Sequence, residues 1–208
     1  MRIVLPLALL VLFVTVSPRP VAADSTGTPV EATLGWTRIN TDWVLRPGVS
    51  NHDMQTTTDP FDQEEGGGDI HFEVMSPSLV GTIPKYLLNP RLHAGLSVNW
   101  AGETSRLYGG LTWEFGLTER LAFEVGFGLG VHDGELDQPR DPVTFAEIDD
   151  GRPALGSRVL FREEFAFSYR VTEITRVVLF YEHYSNGGVF DDRNEGLDAA
   201  GVKIGFRL

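Results

Sequence analysis

The sequence predicts an all-β protein, an eight-stranded antiparallel transmembrane β-barrel. Apolar and polar residues alternate with a period of two in successive runs from residue 70 onwards. The apolar sides of these runs are rich in Phe, Trp, Leu and Val, whereas the other sides carry Arg, Glu, His and Asn between glycines. Short and long connections also alternate, as they do between the turns and the outer loops of outer-membrane barrels.

The first 23 residues have the pattern of a secretory signal peptide. Arg2 precedes an apolar run from Ile3 to Val16, and small residues at Ala22 and Ala23 offer a cleavage site. The run is shorter than the roughly 20 residues that a membrane-spanning helix needs. We therefore expect residues 1–23 to be removed and residues 24–208 to form a single domain.

Composition narrows the class of protein further. The chain has no cysteine, so an exported form must fold without disulfide bonds. Its net charge of −12 argues against nucleic acid as a partner. A zinc site is not expected, because His52, His71 and His93 show no metal-ligand spacing with each other. No cofactor is expected either.

The first strand is predicted over Ala32–Ile39, followed by a long acidic loop over about 40–69. Glu163 interrupts one of the apolar sides, and a β-bulge there would explain it. The other seven strands are predicted at about 70–74, 91–100, 107–115, 121–131, 159–169, 177–185 and 197–208.

The lengths of the connections support a membrane barrel. Thr118-Glu119 and Thr172-Glu173 are predicted to be tight turns. The connections 40–69, 134–154 and 187–196 are long, and they fall at one end of the barrel if the strands run alternately up and down. A soluble barrel with its apolar side inward would show the same alternation but has no need of this asymmetry.

A possible reactive set lies on the last two strands. His183 and Ser185 are two residues apart, so they share the apolar side of their strand with Tyr181. Asp198 begins the apolar side of the next strand, and a hairpin would bring all three polar groups to its loop end. Ser as nucleophile, His as base and Asp as orienting group form a set used in acyl transfer. Asn186 and Gly188 are candidate oxyanion donors.

The same residues allow a simpler interpretation. Polar groups on a lipid-facing surface are tolerated near the membrane interface, where they can be mere headgroup-level decoration. For His132 and Asp133 a structural hydrogen bond is favoured over catalysis. The acidic loops 53–69 and 133–150 are better explained as solvated surface than as sites for divalent cations.

The C-terminal third carries a family resemblance. His183-Tyr184-Ser185-Asn186-Gly187-Gly188, then Asn194-Glu195-Gly196-Leu197-Asp198 and a closing Gly201–Arg207 strand, resembles the outer-membrane lipid A deacylases of the PagL family. The resemblance extends upstream to about residue 70. It includes Asn99 and the segments Tyr108–Trp113, Val131–Gly134 and Leu155–Glu163.

This resemblance implies hydrolysis of an ester-linked acyl chain of lipid A at the outer-leaflet rim. It implies His183 as general base, Ser185 as nucleophile, and Asn186 with Gly188 as oxyanion hole. The acidic member in the family is commonly Glu, where this chain has Asp198. Because Asp is one methylene shorter, three nearby acids are alternatives to it, namely Asp191, Asp192 and Glu195.

Three functions therefore follow as hypotheses. The first is a lipid A deacylase in the outer membrane of a Gram-negative bacterium, with lipopolysaccharide as substrate; whether two copies pair as a homodimer is left open. The second is a non-enzymatic outer-membrane barrel with a structural or adhesive role. The third is a soluble periplasmic barrel that carries an apolar ligand.

Overall fold

The computed structural model describes residues 32–34, 37–54, 65–80, 82, 87–137, 140–145, 152–190 and 195–208. The predicted signal peptide, residues 1–23, lies outside the described residues. The described residues form ten strands, β1 to β10: Ala32–Leu34, Thr37–Ile39, Val44–Asn51, Gly68–Ser78, Arg91–Asn99, Arg106–Gly116, Leu121–His132, Val159–Arg170, Thr175–Ser185 and Leu197–Arg207.

Strands β3 to β10 close into a barrel. Each pairs antiparallel with the next, and β10 pairs with β3 to complete the ring. The predicted eight-stranded antiparallel barrel is confirmed. No helix among the described residues is long and apolar enough to cross a membrane.

The predicted first strand was wrong. Ala32–Ile39 contains two three-residue strands that pair with each other, and β2 joins the C-terminal end of β6 through Thr37 and Phe115. The first barrel strand is β3, Val44–Asn51, which lies inside the stretch predicted as a loop over 40–69. Pro47 and Gly48 in mid-strand hide its alternation, because both residues are depleted in strands.

Gly48 is required by its neighbour across the β3–β10 pair. A Cβ there would lie 2.6 Å from the Lys203 side chain and 2.6 Å from the Val202 carbonyl oxygen. The absence of a side chain therefore lets Lys203 cross the barrel interior beside β3. A residue that breaks the sequence pattern is thus explained by packing in three dimensions.

Apolar side chains point outward from the barrel and remain exposed. Leu179 on β9 is 57% exposed and Phe167 on β8 is 51% exposed, although both lie in mid-strand. Other outward residues on neighbouring strands behave alike, among them Val49, Ile70, Phe72, Leu92, Leu96, Leu107 and Leu129. A belt of this composition around a closed sheet is the surface that lipid covers.

Charged side chains fill the barrel interior. Arg162 Nη2 lies 2.5 Å from Glu164 Oε2 and 2.8 Å from Glu182 Oε2. Lys203 Nζ lies 2.5 Å from the same Glu164 oxygen and 3.0 Å from Glu73 Oε2. All five side chains are at most 2% exposed. Since each buried charge has a partner of opposite sign, the desolvation penalty is offset by pairing.

The two ends of the barrel differ in their connections. At one end, here called the turn end, residues 117–120 and 171–174 form short turns, and the 79–90 connection is longer. At the other, here called the loop end, the chain connects strands through 52–67, 100–105, 133–158 and 186–196. Three of these four loop-end connections are long, as the sequence predicts.

Replacing Arg162 with Met should destabilise the barrel by about 3–5 kcal/mol, because Glu164 and Glu182 lose their closest guanidinium partner while they stay buried. Urea unfolding of the protein in detergent micelles measures this difference. The matched control is Arg120→Met in the exposed turn 117–120, which should change stability by about 0.5 kcal/mol or less. Equal effects of the two substitutions would contradict a stabilising interior network.

Candidate active site

The β9–β10 hairpin places two groups of the predicted set side by side. His183 and Asp198 are direct cross-strand partners at the loop end. His183 Nδ1 lies 2.6 Å from Asp198 Oδ1, a distance typical of a charge-assisted hydrogen bond. The side chains of His183 and Asp198 are 33% and 17% exposed. Both stand on the outward surface of the barrel, since Glu182, Tyr184 and Ala199 beside them are the buried, inward residues.

Ser185 is the last residue of β9 and shares the outward side with His183. Its cross-strand partner is Phe161 on β8. Among the described residues, Ser185 and His183 share no hydrogen bond in this structure. Nucleophile and base are often loosely placed before a substrate is bound, and side-chain rotation can join neighbours two apart on one side of a strand.

Tyr181 is a fourth member that sequence reasoning missed. Its hydroxyl donates to Asp198 Oδ1 over 2.7 Å, so the oxygen that faces His183 also accepts this second hydrogen bond. The signal was present, because Tyr181 precedes His183 by two residues on the same side of β9. A carboxylate held from two sides has fewer rotamers open to it, which favours one orientation of the imidazole.

Gly196 packs against the imidazole from the 186–196 loop. Its φ of +79° is a left-handed conformation that favours glycine. A Cβ at this position would lie 3.0 Å from His183 Cε1. The glycine therefore lets the returning loop close over the edge of the ring without displacing it.

The two candidate oxyanion donors are engaged within the protein. Asn186 is buried, and its side-chain amide nitrogen donates to the Leu155 carbonyl over 3.1 Å. The Gly188 N–H donates to Asn186 Oδ1 over 2.7 Å. These bonds order the start of the 186–196 loop, and the Gly188 N–H would have to change partner before it could bind an oxyanion.

Glu163 is a second carboxylate beside the imidazole. It is the cross-strand partner of His183 on one side and of Phe127 on the other. Pairing runs without interruption through Glu163 in both ladders, so the β-bulge suggested for it is wrong. Its side chain stands on the outward surface because of its place in the register.

Glu195 does not take the place of Asp198 beside His183 in this structure. The Glu195 carboxylate accepts a hydrogen bond from the Ala154 backbone N–H. Asp191 and Asp192 lie outside the described residues. The shorter side chain of Asp198 reaches His183 because the two residues are directly paired.

A second serine–histidine pair lies inside the barrel. Ser50 Oγ is 2.8 Å from His71 Nε2, but the residues are only 5% and 0% exposed. His71 Nδ1 has no hydrogen-bond partner among the described residues. Without access to substrate or an orienting acid, this pair lacks two requirements of an active site.

His52 and His132 make hydrogen bonds that hold the structure together. His52 bonds Asp69 through Nδ1 over 2.8 Å and Glu65 through Nε2 over 2.7 Å. Burial alone would lower the pKa of His52, but the hydrogen bonds to these carboxylates outweigh it and raise the pKa above its ordinary value. His132 Nε2 contacts the Ser157 carbonyl at 2.7 Å, the structural bond that the sequence favours. No metal-binding group of His, Asp and Glu occurs among the described residues.

Comparisons with known proteins identify a family and a similar fold. A family model described as Lipid A 3-O-deacylase (PagL) matches residues 88–207, which is more than half of the chain. No curated protein sequence matches the chain. The crystal structure of the outer membrane enzyme PagL is similar in fold: the identity is 14%, the alignment covers 79% of this chain and 99% of that chain, and the TM-score is 0.50. The N-terminal barrel domain of Pseudomonas aeruginosa OprF shows 10% identity, coverage of 81% and 99%, and a TM-score of 0.49.

Replacing Gly196 with Ala should slow the labelling of Ser185 by a small fluorophosphonate at least about tenfold, because the new methyl group displaces the imidazole that we expect to activate the serine. The rate of probe incorporation into the purified barrel measures the effect.

Gly102→Ala is the matched control for this substitution. Gly102 also lies at the loop end with a positive φ, +87°, but a Cβ there would meet nothing within 4 Å. The control separates backbone strain from contact with the ring. If both variants are labelled at the wild-type rate, the packing of Gly196 on His183 has no part in activating Ser185.

Proposed function

Because the chain belongs to the lipid A 3-O-deacylase (PagL) family, we propose that it hydrolyses an ester-linked acyl chain of lipid A in the outer membrane of a Gram-negative bacterium. The observation that carries the proposal is the His183–Asp198 pair, with Ser185 beside it, on the outward surface at the loop end. The family description indicates the acyl chain at the 3-O position as the one removed. Export through the signal peptide at residues 1–23 is part of the proposal.

The reaction is an acyl transfer to serine followed by hydrolysis. His183 accepts the Ser185 proton while Ser185 Oγ attacks the ester carbonyl; the bond from the carbonyl carbon to the sugar oxygen then breaks, and the same proton passes to that oxygen, which leaves as a hydroxyl. Water then attacks the acyl-enzyme with His183 again as base, which releases the fatty acid and restores Ser185. Asp198 accepts a hydrogen bond from Nδ1–H of His183, which leaves Nε2 as the nitrogen that takes the serine proton, and its negative charge stabilises the transient imidazolium.

Developing negative charge on the ester oxygen needs hydrogen-bond donors close to Ser185. We assign this role to the Asn186 side-chain amide and the Gly188 N–H, which lie one and three residues after the nucleophile. Removal of one such donor in other enzymes lowers kcat about 10²–10³-fold. Both donors are engaged within the protein, with Asn186 Oδ1 and with the Leu155 carbonyl, so the assignment requires that they exchange these bonds when the ester binds.

The position of the site suits a substrate that never leaves the membrane. Lipid A has acyl chains in the outer leaflet and a charged sugar headgroup at its surface. A reactive group at the rim of the apolar belt meets the ester between these two parts without extracting the lipid. A soluble enzyme would first have to draw those chains out of the bilayer, which costs free energy wherever apolar surface meets water.

The competing functions fit less well. An apolar ligand carrier needs an apolar interior, but the interior of this barrel is filled by paired charges such as Arg46 with Glu124. A purely structural or adhesive barrel has no need of a His183–Asp198 pair on its lipid-facing surface, where polar groups are disfavoured. Nothing in either alternative accounts for the second bond from Tyr181.

Expression of the chain in a Gram-negative host that lacks a lipid A deacylase should shift the mass of lipid A by the loss of one hydroxyacyl chain. Ser185→Ala should abolish this shift, with a fall in rate of about 10⁴-fold or more, because the nucleophile is gone. Mass spectrometry of extracted lipid A provides the readout.

Heat-modifiable migration on a gel shows that the Ser185→Ala barrel has folded, so a lost mass shift then reports chemistry. Leu179→Ala, on the same outward side of β9, is the control and should leave the mass shift intact. Unchanged lipid A with wild-type protein in the outer membrane would favour the structural or adhesive barrel. Full activity of Ser185→Ala would show that another group is the nucleophile.

A further inference from the structure

Three phenylalanine rings form a stacked row on the outward surface next to the candidate nucleophile. The ring centroids of Phe127 and Phe161 are 6.3 Å apart with 20° between the planes. Those of Phe161 and Phe190 are 5.7 Å apart with 18° between the planes. The row starts in the 186–196 loop and continues through β8 to β7.

The sequence directs the loop back towards this row. Gly187 and Gly188 have φ values of +64° and +66°, which reverse the chain immediately after β9. Phe190 consequently returns to stack on Phe161, although it belongs to a solvent-side loop and remains 53% exposed. With Phe127, which is 48% exposed, and Phe161 it forms a contiguous apolar patch, the kind of surface that marks a site of interaction with another molecule.

The row adjoins Ser185 on one side only. Phe161 is the direct cross-strand partner of Ser185. On the other side of the site lie Asp198 and the Tyr181 hydroxyl, both polar and bonded to each other. An ester bound at Ser185 would therefore meet an apolar surface towards β8 and a polar one towards β10.

The row of phenylalanines also leads around Glu163, a polar residue on the outward surface between the site and the turn end. Down β8 from Phe161, the next outward residue is Glu163, which an acyl chain would not cross favourably. Phe127 lies on β7 opposite Glu163, so the stacked rings lead from β8 to β7 past that carboxylate. This is a continuous apolar path from the serine into the apolar belt.

We propose that Phe161 and Phe127, with Phe190 supporting Phe161, form the binding surface for the acyl chain that is cleaved, and that they set the preference of the site for long chains. This inference rests on the proposed esterase function and adds the residues that recognise the acyl group. Phe161 contacts the carbons nearest the ester, whereas Phe127 contacts carbons farther along the chain. Aromatic side chains suit this role because their flat faces bury much apolar area at little entropic loss.

The test is a series of p-nitrophenyl esters presented to the purified barrel in detergent micelles, from acetate through hexanoate to dodecanoate. Phe161→Ala should lower kcat/KM about tenfold for hexanoate and for dodecanoate, and by no more than about twofold for acetate. Phe127→Ala should lower it for dodecanoate alone. Phe190→Ala should follow the pattern of Phe161→Ala with a smaller loss.

Phe167→Ala is the matched control. Phe167 lies on the same strand as Phe161, also points outward, and is paired with Phe123 at a centroid distance of 5.3 Å, but towards the turn end. Its substitution should change none of the three rates. The rate of fluorophosphonate labelling of Ser185, which needs no long chain, should be unchanged in all four variants and reports that the site itself is intact.

The outcomes separate this inference from the proposed function. A wild-type protein that cleaves no ester and leaves lipid A unchanged overturns both. An active wild type whose Phe161→Ala and Phe127→Ala variants lose acetate and dodecanoate hydrolysis equally, or lose neither, overturns the acyl-binding surface alone. The same holds if Phe167→Ala matches Phe161→Ala, since the row would then act only as interfacial anchorage.

Discussion

Ion pairing inside the barrel is the constraint on which the rest of the structure depends. Arg162 and Lys203 share the Glu164 carboxylate, and Glu73 and Glu182 complete the cluster. These charges can be buried only because eight strands close around them and bring each one to a partner of opposite sign. Successive residues of a strand point to opposite sides of the sheet, so the residues between the charged ones point outward. Those outward residues are mainly apolar, as lipid contact requires.

A polar side chain on the apolar outer surface is destabilising unless other groups compensate for it. His183, Asp198 and Tyr181 bond to one another at the loop end of β9 and β10, where the penalty for polarity is smallest. Ser185 stands beside them, and phenylalanines occupy the neighbouring strands. Ser185, an imidazole bonded to Asp198 and an apolar surface therefore lie together at the loop end of the barrel, which is the arrangement that the proposed hydrolysis of a membrane-lipid ester needs.

The sequence predicts much of this, and its failures have physical causes. Period-two alternation identifies seven of the barrel strands and the side on which His183 and Asp198 lie, because a strand offers only two sides. Val44–Asn51 escapes detection since Pro47 and Gly48 interrupt its pattern, and only the Lys203 side chain, distant in sequence, explains the glycine. The Phe161–Phe190 contact could not be predicted either. It depends on how the loop after β9 turns back, and alternation along a strand carries no information about that.

The most direct test of a lipid-facing site uses the absence of native cysteine, which permits a single spin label at a chosen position. The label is attached to His183→Cys in proteoliposomes, and two collision rates are measured. Oxygen partitions into lipid and a nickel chelate stays in water, so the ratio of the two rates shows whether the label lies in lipid or in water. Leu179→Cys on the apolar belt and Gly102→Cys in an exposed loop supply the two reference values. A location at the membrane rim predicts that oxygen dominates at position 183 and that the label resembles the one at 179. Dominant collision with nickel, as at position 102, would place the imidazole in water and contradict an enzyme that acts from the lipid side.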